Sequence, residues 1–253
     1  MTPERKAQLD QAAKICLEAR HTGNLIDNLP AALQPQTLEE AYAVQDEMIK
    51  AYPPIGGWKI GGPPTADPFF APMPKAWMAA SGSKLKGIRF RAVEAEIAFL
   101  IGKDLPPRGT PYSRAEVIDA VASCHPAIEV LEMAFPTPEG KERFTLFGDM
   151  QQHGGFVYGA AFAGWQKLDW AQESVILTIE GELIMEKTAS NPAGTDLVRL
   201  LVYLANEGAA RTRGLKKGDW ITTGSWTGNT PAGANASVDV KFAHAGNVSL
   251  RFA

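Results

Sequence analysis

Hydrophobic positions recur every three or four residues at the start of the chain and every second residue over much of the remainder, the periods of a helix and of a strand. Leu9, Ala12, Ala13, Cys16 and Leu17 share one helical face after Thr2-Pro3. Proline at the first helical position loses only an N–H that would have no helical partner, and Gly23 suits the stop. A second helix is predicted from Thr37, where Thr37 and Glu40 spell a capping box. Ala41, Val44, Met48 and Ile49 give it an apolar face, and Pro53-Pro54 end it. Residues 1–54 therefore read as a small helical N-terminal region.

From residue 55 to residue 86 the periodicity disappears. Gly56, Gly57, Gly61 and Gly62 precede Pro63, Pro64, Pro68, Pro72 and Pro74, so the stretch reads as a long loop with short strands, of a length often reserved for function. Alternation returns at Val93. Val93, Ala95, Ile97 and Phe99 face one way; Glu94, Glu96, Ala98 and Leu100 face the other. Ser113 and Glu116 form another capping box, opening a helix expected to end at Pro126, before a short strand over residues 127–131. Residues 175–185 read as a hairpin turning at Glu180-Gly181, and Leu197, Leu200, Leu201 and Leu204 line a helix ending near Gly208. Val238, Val240 and Phe242, then Val248, Leu250 and Phe252, form a second hairpin around Gly246-Asn247. Strands gathered around a few helices predict an α+β fold rather than a parallel βαβ sheet.

Composition narrows the picture little. Of 253 residues, 45% are hydrophobic and 21% charged, an ordinary globular balance with enough chain to bury a core. Lys and Arg number 25 against 28 acids, for a formal net charge of -3. The cations form no cluster, so neither nucleic acid nor an anionic membrane is an expected partner. Two cysteines, Cys16 and Cys124, make no disulfide scaffold and point to a reducing compartment. The N-terminal MTPERKAQLDQAAK lacks the apolar core of a signal peptide, and no stretch approaches the ~20 apolar residues of a membrane span. A cytoplasmic location is expected.

The chemistry lies in the carboxylates. Glu94 and Glu96 are two apart on an otherwise apolar strand, so both point to one side. Two like charges there repel and are costly to desolvate; a bound cation resolves both problems, whereas the plainer reading is a solvated strand face that carries acids. Glu129 sits among apolar neighbours in the second strand-like piece, where the plainer reading is a structural acid paired with Arg or Lys. Three glutamates around a divalent ion form an all-oxygen set that suits Mg²⁺ or Mn²⁺ better than zinc. They also leave positions open for a bidentate ligand such as a 2-oxo acid.

The segments EAEIAFLIGKDL, GGWKIG, LEEAYAVQDEMIKAY, HPAIEVLE, LVRLLVYLANEG and GLKKGDWITTGSWTG resemble the 2-keto-4-pentenoate hydratase and 4-oxalocrotonate decarboxylase group of the fumarylacetoacetase superfamily. The resemblance runs in order from about Leu38 to the C-terminus. It implies a mixed β-roll core of the fumarylacetoacetase C-terminal type, so that residues 55–253 form a mixed-β catalytic domain behind the helical region. It implies Mg²⁺ or Mn²⁺ on Glu94, Glu96 and Glu129, a catalytic Lys59 followed by Ile60 and Gly61 at the substrate, and Ser225 and Thr227 on the substrate carboxylate. A homo-oligomer and a small 2-oxo acid substrate are implied as well.

Three stretches depart from the group's pattern, one of them APMPKAWM around Lys75, which lacks the acid expected downstream of Lys59. The group's Asp-Asn followed by small hydroxyl residues is replaced by Gly148-Asp149-Met150-Gln151-Gln152-His153, and the acid-and-arginine run after Glu129 becomes Glu132, Met133, Ala134. Asp149 and Glu132 keep an acid at the last two places and are candidate catalytic groups. His153 can titrate near neutrality and Gln152 can orient water or substrate, so both are candidates to replace what is lost. Cys124-His125 reads as packing beside Pro126, and His21 and His244 carry no ligand spacing. The expected activity is lyase chemistry on a 2-oxo acid or its dienol, foremost water addition. The alternatives are decarboxylation, acylpyruvate-type C–C hydrolysis using Glu18 and His21, and a non-catalytic oxo-acid binder.

Overall fold

Thr2 caps the first helix, Pro3–Thr22 (α1), by accepting the Arg5 N–H, and Gly23 closes it in the left-handed conformation. The second helix, Leu38–Met48 (α2), is capped by Thr37 accepting the Glu40 N–H. The box is only half made, because the Glu40 carboxylate turns to the Gln36 N–H and to the Arg5 guanidinium. The computed structural model describes residues 1–211 and 213–253.

The Arg5–Glu40 pair ties α1 to α2, and the hydrogen bonds from Arg5 hold the Glu40 carboxyl down to about 2. A carboxyl with a depressed folded pKa stabilises the fold above its unfolded value near ~4.3 and loses that contribution as pH falls through the folded value. Glu40→Gln should therefore cost about 1–2 kcal/mol at pH 7 and nothing below pH about 2. Urea midpoints of both proteins at the two pH values check this.

The strands run Ile55–Gly61 (β1), Phe69–Pro74 (β2), Met78–Ala80 (β3), Ser83–Leu85 (β4) and Ala92–Ile101 (β5). A short helix, Arg114–Ala120 (α3), leads into Val121–Leu131 (β6); another, Arg143–Gly148 (α4), precedes His153–Tyr158 (β7). Then come Ser174–Ile179 (β8), Glu182–Thr188 (β9), the helix Leu197–Tyr203 (α5), and Trp220–Ser225 (β10), Thr230–Pro231 (β11), Ser237–Phe242 (β12) and Gly246–Phe252 (β13). One sheet has the order β2-β1-β10-β5-β6-β7-β3, with β11 on β5; the other has the order β4-β13-β12-β8-β9. Both are mixed, since β1 runs parallel to β10, β3 to β7 and β4 to β13. The fold is α+β, with a small helical N-terminal region and a mixed-β core.

Ala95, Ile97 and Phe99 of β5 join Val238, Val240, Phe242 and Leu250 of the second sheet in one core. The opposite face of β5 and β6 carries Glu94, Glu96, Ala98, Ala127 and Glu129 and is covered too, so neither face is solvated. The helical region packs Leu9, Ala13, Cys16, Val44 and Met48 against Met133, Ala134, Phe135 and Met150. Cys16 and Cys124 are both buried as free thiols. Among the described residues no helix is long and apolar enough to cross a membrane.

Three local expectations are corrected. The glycine- and proline-rich stretch holds its short strands but is less loop than expected, since β1 and β2 are full strands of the main sheet. Gly57 belongs there because β10 approaches so closely that a Cβ on it would lie 2.1 Å from the Trp220 carbonyl oxygen. The capping box at Ser113 is complete, but its helix stops at Ala120 and Pro126 lies inside β6. Proline is tolerated there because β7 has ended opposite it, and its carbonyl accepts the Gly159 N–H instead. The last hairpin turns over residues 243–245, one step before Gly246, which starts β13 opposite Phe242. The Glu180-Gly181 turn, with both residues at positive φ, forms as expected.

Candidate metal centre

Antiparallel pairing sets Glu94 directly opposite Glu129, and Glu96 opposite Ala127 on one side and Ser225 on the other. One carboxylate oxygen from each of Glu94, Glu96 and Glu129 lies within 4.8 Å of the other two. Like charges facing one another on a covered sheet face are destabilising. Burial chiefly pushes the Glu94 carboxyl up to about 7, Glu129 adding to the effect and Lys59 opposing it. Burial, then Glu129 and Glu94, hold Glu96 well above the ordinary carboxylate range. Glu129 goes the other way: burial is outweighed by Lys59 and His153.

Glu129 directs Oε1 to the Lys59 ammonium at 2.6 Å and to His153 Nδ1 at 3.0 Å, while its buried Oε2 has no hydrogen-bond partner. An orphaned carboxylate oxygen in the interior is rare. Here it belongs to three carboxylates that share one ammonium, and a divalent cation satisfies both the atom and the charge. The all-oxygen donor set fits Mg²⁺ or Mn²⁺.

Around this cluster β10 carries a bulge between Thr222 and Ser225. Gly224 takes a φ of 94° in it, which glycine alone adopts freely, and turns its N–H to Glu96 Oε2 at 2.9 Å. The Thr222 hydroxyl donates to the same oxygen. Asn191 pins the bulge by donating to the Thr223 and Gly224 carbonyls. Ser225 follows, facing the cavity, its hydroxyl accepting the Gly228 N–H at 2.8 Å.

The cavity beside the cluster measures about 250 Å³ and is lined by Lys59, Ile60, Gly61, Glu94, Glu96, Gln152 and Ser225, with Phe69, Leu131, Phe147 and Gln151 beyond them. Lys59 is not a solvated loop charge; it is buried on β1 and donates to the Gln151 carbonyl at 3.0 Å as well as to Glu129. Burial disfavours its ammonium, but Glu129 and Glu94 outweigh that and raise its pKa, so Lys59 stays protonated at neutral pH. Gln151 Oε1 and Gln152 Nε2 are buried without a partner. They sit in a turn where Met150, Gln151 and Gln152 have φ of 51°, 51° and 62°, three non-glycine residues in succession in the left-handed region.

The remaining expected site residues lie elsewhere. Thr227 does not reach the cavity: its hydroxyl accepts the Ala95 N–H at 3.0 Å and donates to the Gly228 carbonyl, splicing two backbones. Asp149 accepts from Arg20 at 2.6 Å and from the Ala134 N–H, fully buried. Glu132 accepts the Arg89 and Met133 N–H groups beside a different cavity. Neither acid faces the cluster. His153 is buried with Trp77 stacked on its ring; burial, opposed by Glu129, lowers its pKa, so the neutral imidazole donates Nδ1–H to Glu129. It orients a carboxylate and does not line the cavity. Cys124 and His125 lie within β6, with His125 bonded to Ser123 and the Gly159 carbonyl. His21 is exposed at the end of α1.

Sequence reasoning missed Arg20, Thr222, Phe69 and Phe147. Arg20 anchors the back of the site, donating to the Asp149 carboxylate and to the carbonyls of Glu132, Asp149 and His153. In the sequence it reads as a cation in the last turn of a helix, a usual solvated position. Nothing local marks it as buried.

No family model matches the chain. It is 25% identical over 265 residues to the TodF product hydratase of Pseudomonas putida, covering 98% of this chain and 97% of that one. It is 25% identical to the 2-oxo-hept-4-ene-1,7-dioate hydratase of Escherichia coli, covering 85% and 87%. In fold it is similar to the 4-oxalocrotonate decarboxylase of Pseudomonas putida G7 complexed with magnesium and adipate. That match has a TM-score of 0.80 at 20% identity and covers 100% of this chain and 99% of that chain.

Proposed function

The chain belongs to the fumarylacetoacetase superfamily, with its 4-oxalocrotonate decarboxylases and hydratases, and from that we propose that it is a divalent-metal-dependent lyase acting on a small 2-oxo acid or its dienol. The observation that carries this reading is the buried, partnerless Oε2 of Glu129 beside the carboxylates of Glu94 and Glu96. Those three residues would hold Mg²⁺ or Mn²⁺. When bound, the ion supplies Lewis-acid stabilisation of the negative charge that develops on the substrate's 2-oxygen.

The other roles fall to the chain itself. The Ser225 hydroxyl, on the bulge, is the donor for the substrate carboxylate. Lys59 holds a proton at Nζ against the cavity, fixed by Glu129 and the Gln151 carbonyl, and delivers it to the substrate's carbon chain. His153 keeps Glu129 turned so that Oε2 stays free. The unpaired amide atoms of Gln151 and Gln152 are an acceptor and a donor able to orient a water molecule, which supports water addition, the activity named in two relatives.

Decarboxylation is the second reading. Apart from the glutamates, Lys59 is the one titratable group among the described lining residues, and loss of CO₂ needs a proton donor but no base to activate water. C–C hydrolysis is not supported, because His21 does not line the cavity.

The test compares Mg²⁺-loaded with chelator-treated protein on 2-hydroxydienoates, 2-oxo dioates, acylpyruvates and oxaloacetate. Metal-dependent hydration of a 2-hydroxydienoate is expected; metal-dependent CO₂ release would select the second reading. No turnover of any compound, with oxalate still bound, would leave a binder only. Lys59→Met should lower kcat by roughly 10²–10³-fold while Mg²⁺ affinity, measured by calorimetry, changes far less. An unaffected rate removes Lys59 from the mechanism.

A further inference from the structure

The cavity wall says which tail the substrate carries. Among the described lining residues Lys59 is the only cation, and it is already paired with Glu129. The lining beyond the cluster is neutral: Phe69 and Phe147 stack with ring centroids 4.6 Å apart, Leu131 and Ile60 add apolar surface, and Gln151 and Gln152 add uncharged amides. Two arginines stand behind this wall without entering it. Arg143 is exposed, with its guanidinium 4.8 Å from the Phe147 ring centroid, and Arg199 is turned to the Gly62 carbonyl. At about 250 Å³ the space lies below the roughly 300–1,000 Å³ common for ligand pockets.

Resting on the metal-centred reading above, we infer that the substrate is a 2-oxo mono-acid. Its single carboxylate sits at the glutamate end, and a short uncharged tail packs on Phe69 and Phe147. A second carboxylate at this wall would give up its hydration for aromatic faces and amides with no counter-ion. Stripping a charge of water without pairing it costs enough to weaken binding by roughly a hundredfold or more. An uncharged chain there loses nothing and gains contact with two rings.

Calorimetric titration of the Mn²⁺-loaded protein with 2-oxohexanoate, 2-oxohexanedioate and oxalate tests this without relying on turnover. Oxalate has no tail and reads the gripping end alone, so its failure to bind would be a failure of the metal-centred reading. With oxalate bound, 2-oxohexanoate is expected to bind at least tenfold more tightly than the dioate. A smaller ratio, or a preference for the dioate, overturns the inference; loss of that preference in Arg143→Gln would identify the guanidinium as the dioate's counter-ion. Phe147→Ala, with Phe147→Leu as the gentler variant, should weaken 2-oxohexanoate at least tenfold relative to oxalate. An unchanged ratio in both would place the tail elsewhere and overturn the proposal.

Discussion

Glu94→Gln is expected to abolish metal-dependent turnover and, in the same protein, to raise the stability of the metal-free fold. Glu94 faces Glu129 across two strands with Glu96 beside it, and burial with the neighbouring charge pushes its carboxyl up to about 7. A folded pKa above the unfolded one means that ionising the group at neutral pH works against folding. Glutamine keeps the shape and removes the charge, so the metal-free protein should gain about 1–2 kcal/mol at pH 7, less than the full shift implies because the cavity admits water. Mg²⁺ affinity should fall by roughly 100-fold or more, and kcat/KM by at least a comparable factor. Thermal unfolding with and without chelator, and calorimetric metal titration, read both arms. Retained metal affinity would sink the centre; a lower melting temperature in chelator would show that the repulsion is relieved some other way.

Arg20→Ala should be the most destabilising single change near the site, by about 3–5 kcal/mol, because it leaves the fully buried Asp149 carboxylate with no cation. It also frees three backbone carbonyls that Arg20 holds. Urea unfolding checks the magnitude. Arg20→Ala combined with Asp149→Asn should recover part of the loss, since the uncompensated charge is gone and only the lost hydrogen bonds remain. A double variant as unstable as the sum of the two single changes would show that the ion pair does not dominate.

Much of the architecture was legible because it is written in local rules. The caps at Thr2, Thr37 and Ser113 and the alternation of β5 and β13 depend on neighbours within a few positions. β1 was not legible, because its Gly57 answers to Trp220, a residue far along the chain. The same divide runs through the site. Glu94 and Glu96 announce themselves by spacing, but the orphaned Oε2 of Glu129 exists only once Lys59 and His153 have claimed Oε1. Asp149 and Glu132, the acids that the family resemblance made attractive, are drawn away by Arg20 and by backbone N–H groups that no spacing predicts.

Three left-handed residues in succession, Met150, Gln151 and Gln152, the last two lining the cavity, make this turn a poor place for neutral drift. Each non-glycine residue in that region carries a strain of order 1–3 kcal/mol, and glycine at any of them would relieve it. Exchange of Gln151 or Gln152 for glycine would thus be rewarded by stability, whereas Met150 is held by its packing against the helical region. Variants selected for thermostability alone are therefore expected to accumulate glycine at 151 and 152 first, hardening the fold while blurring what the cavity can recognise.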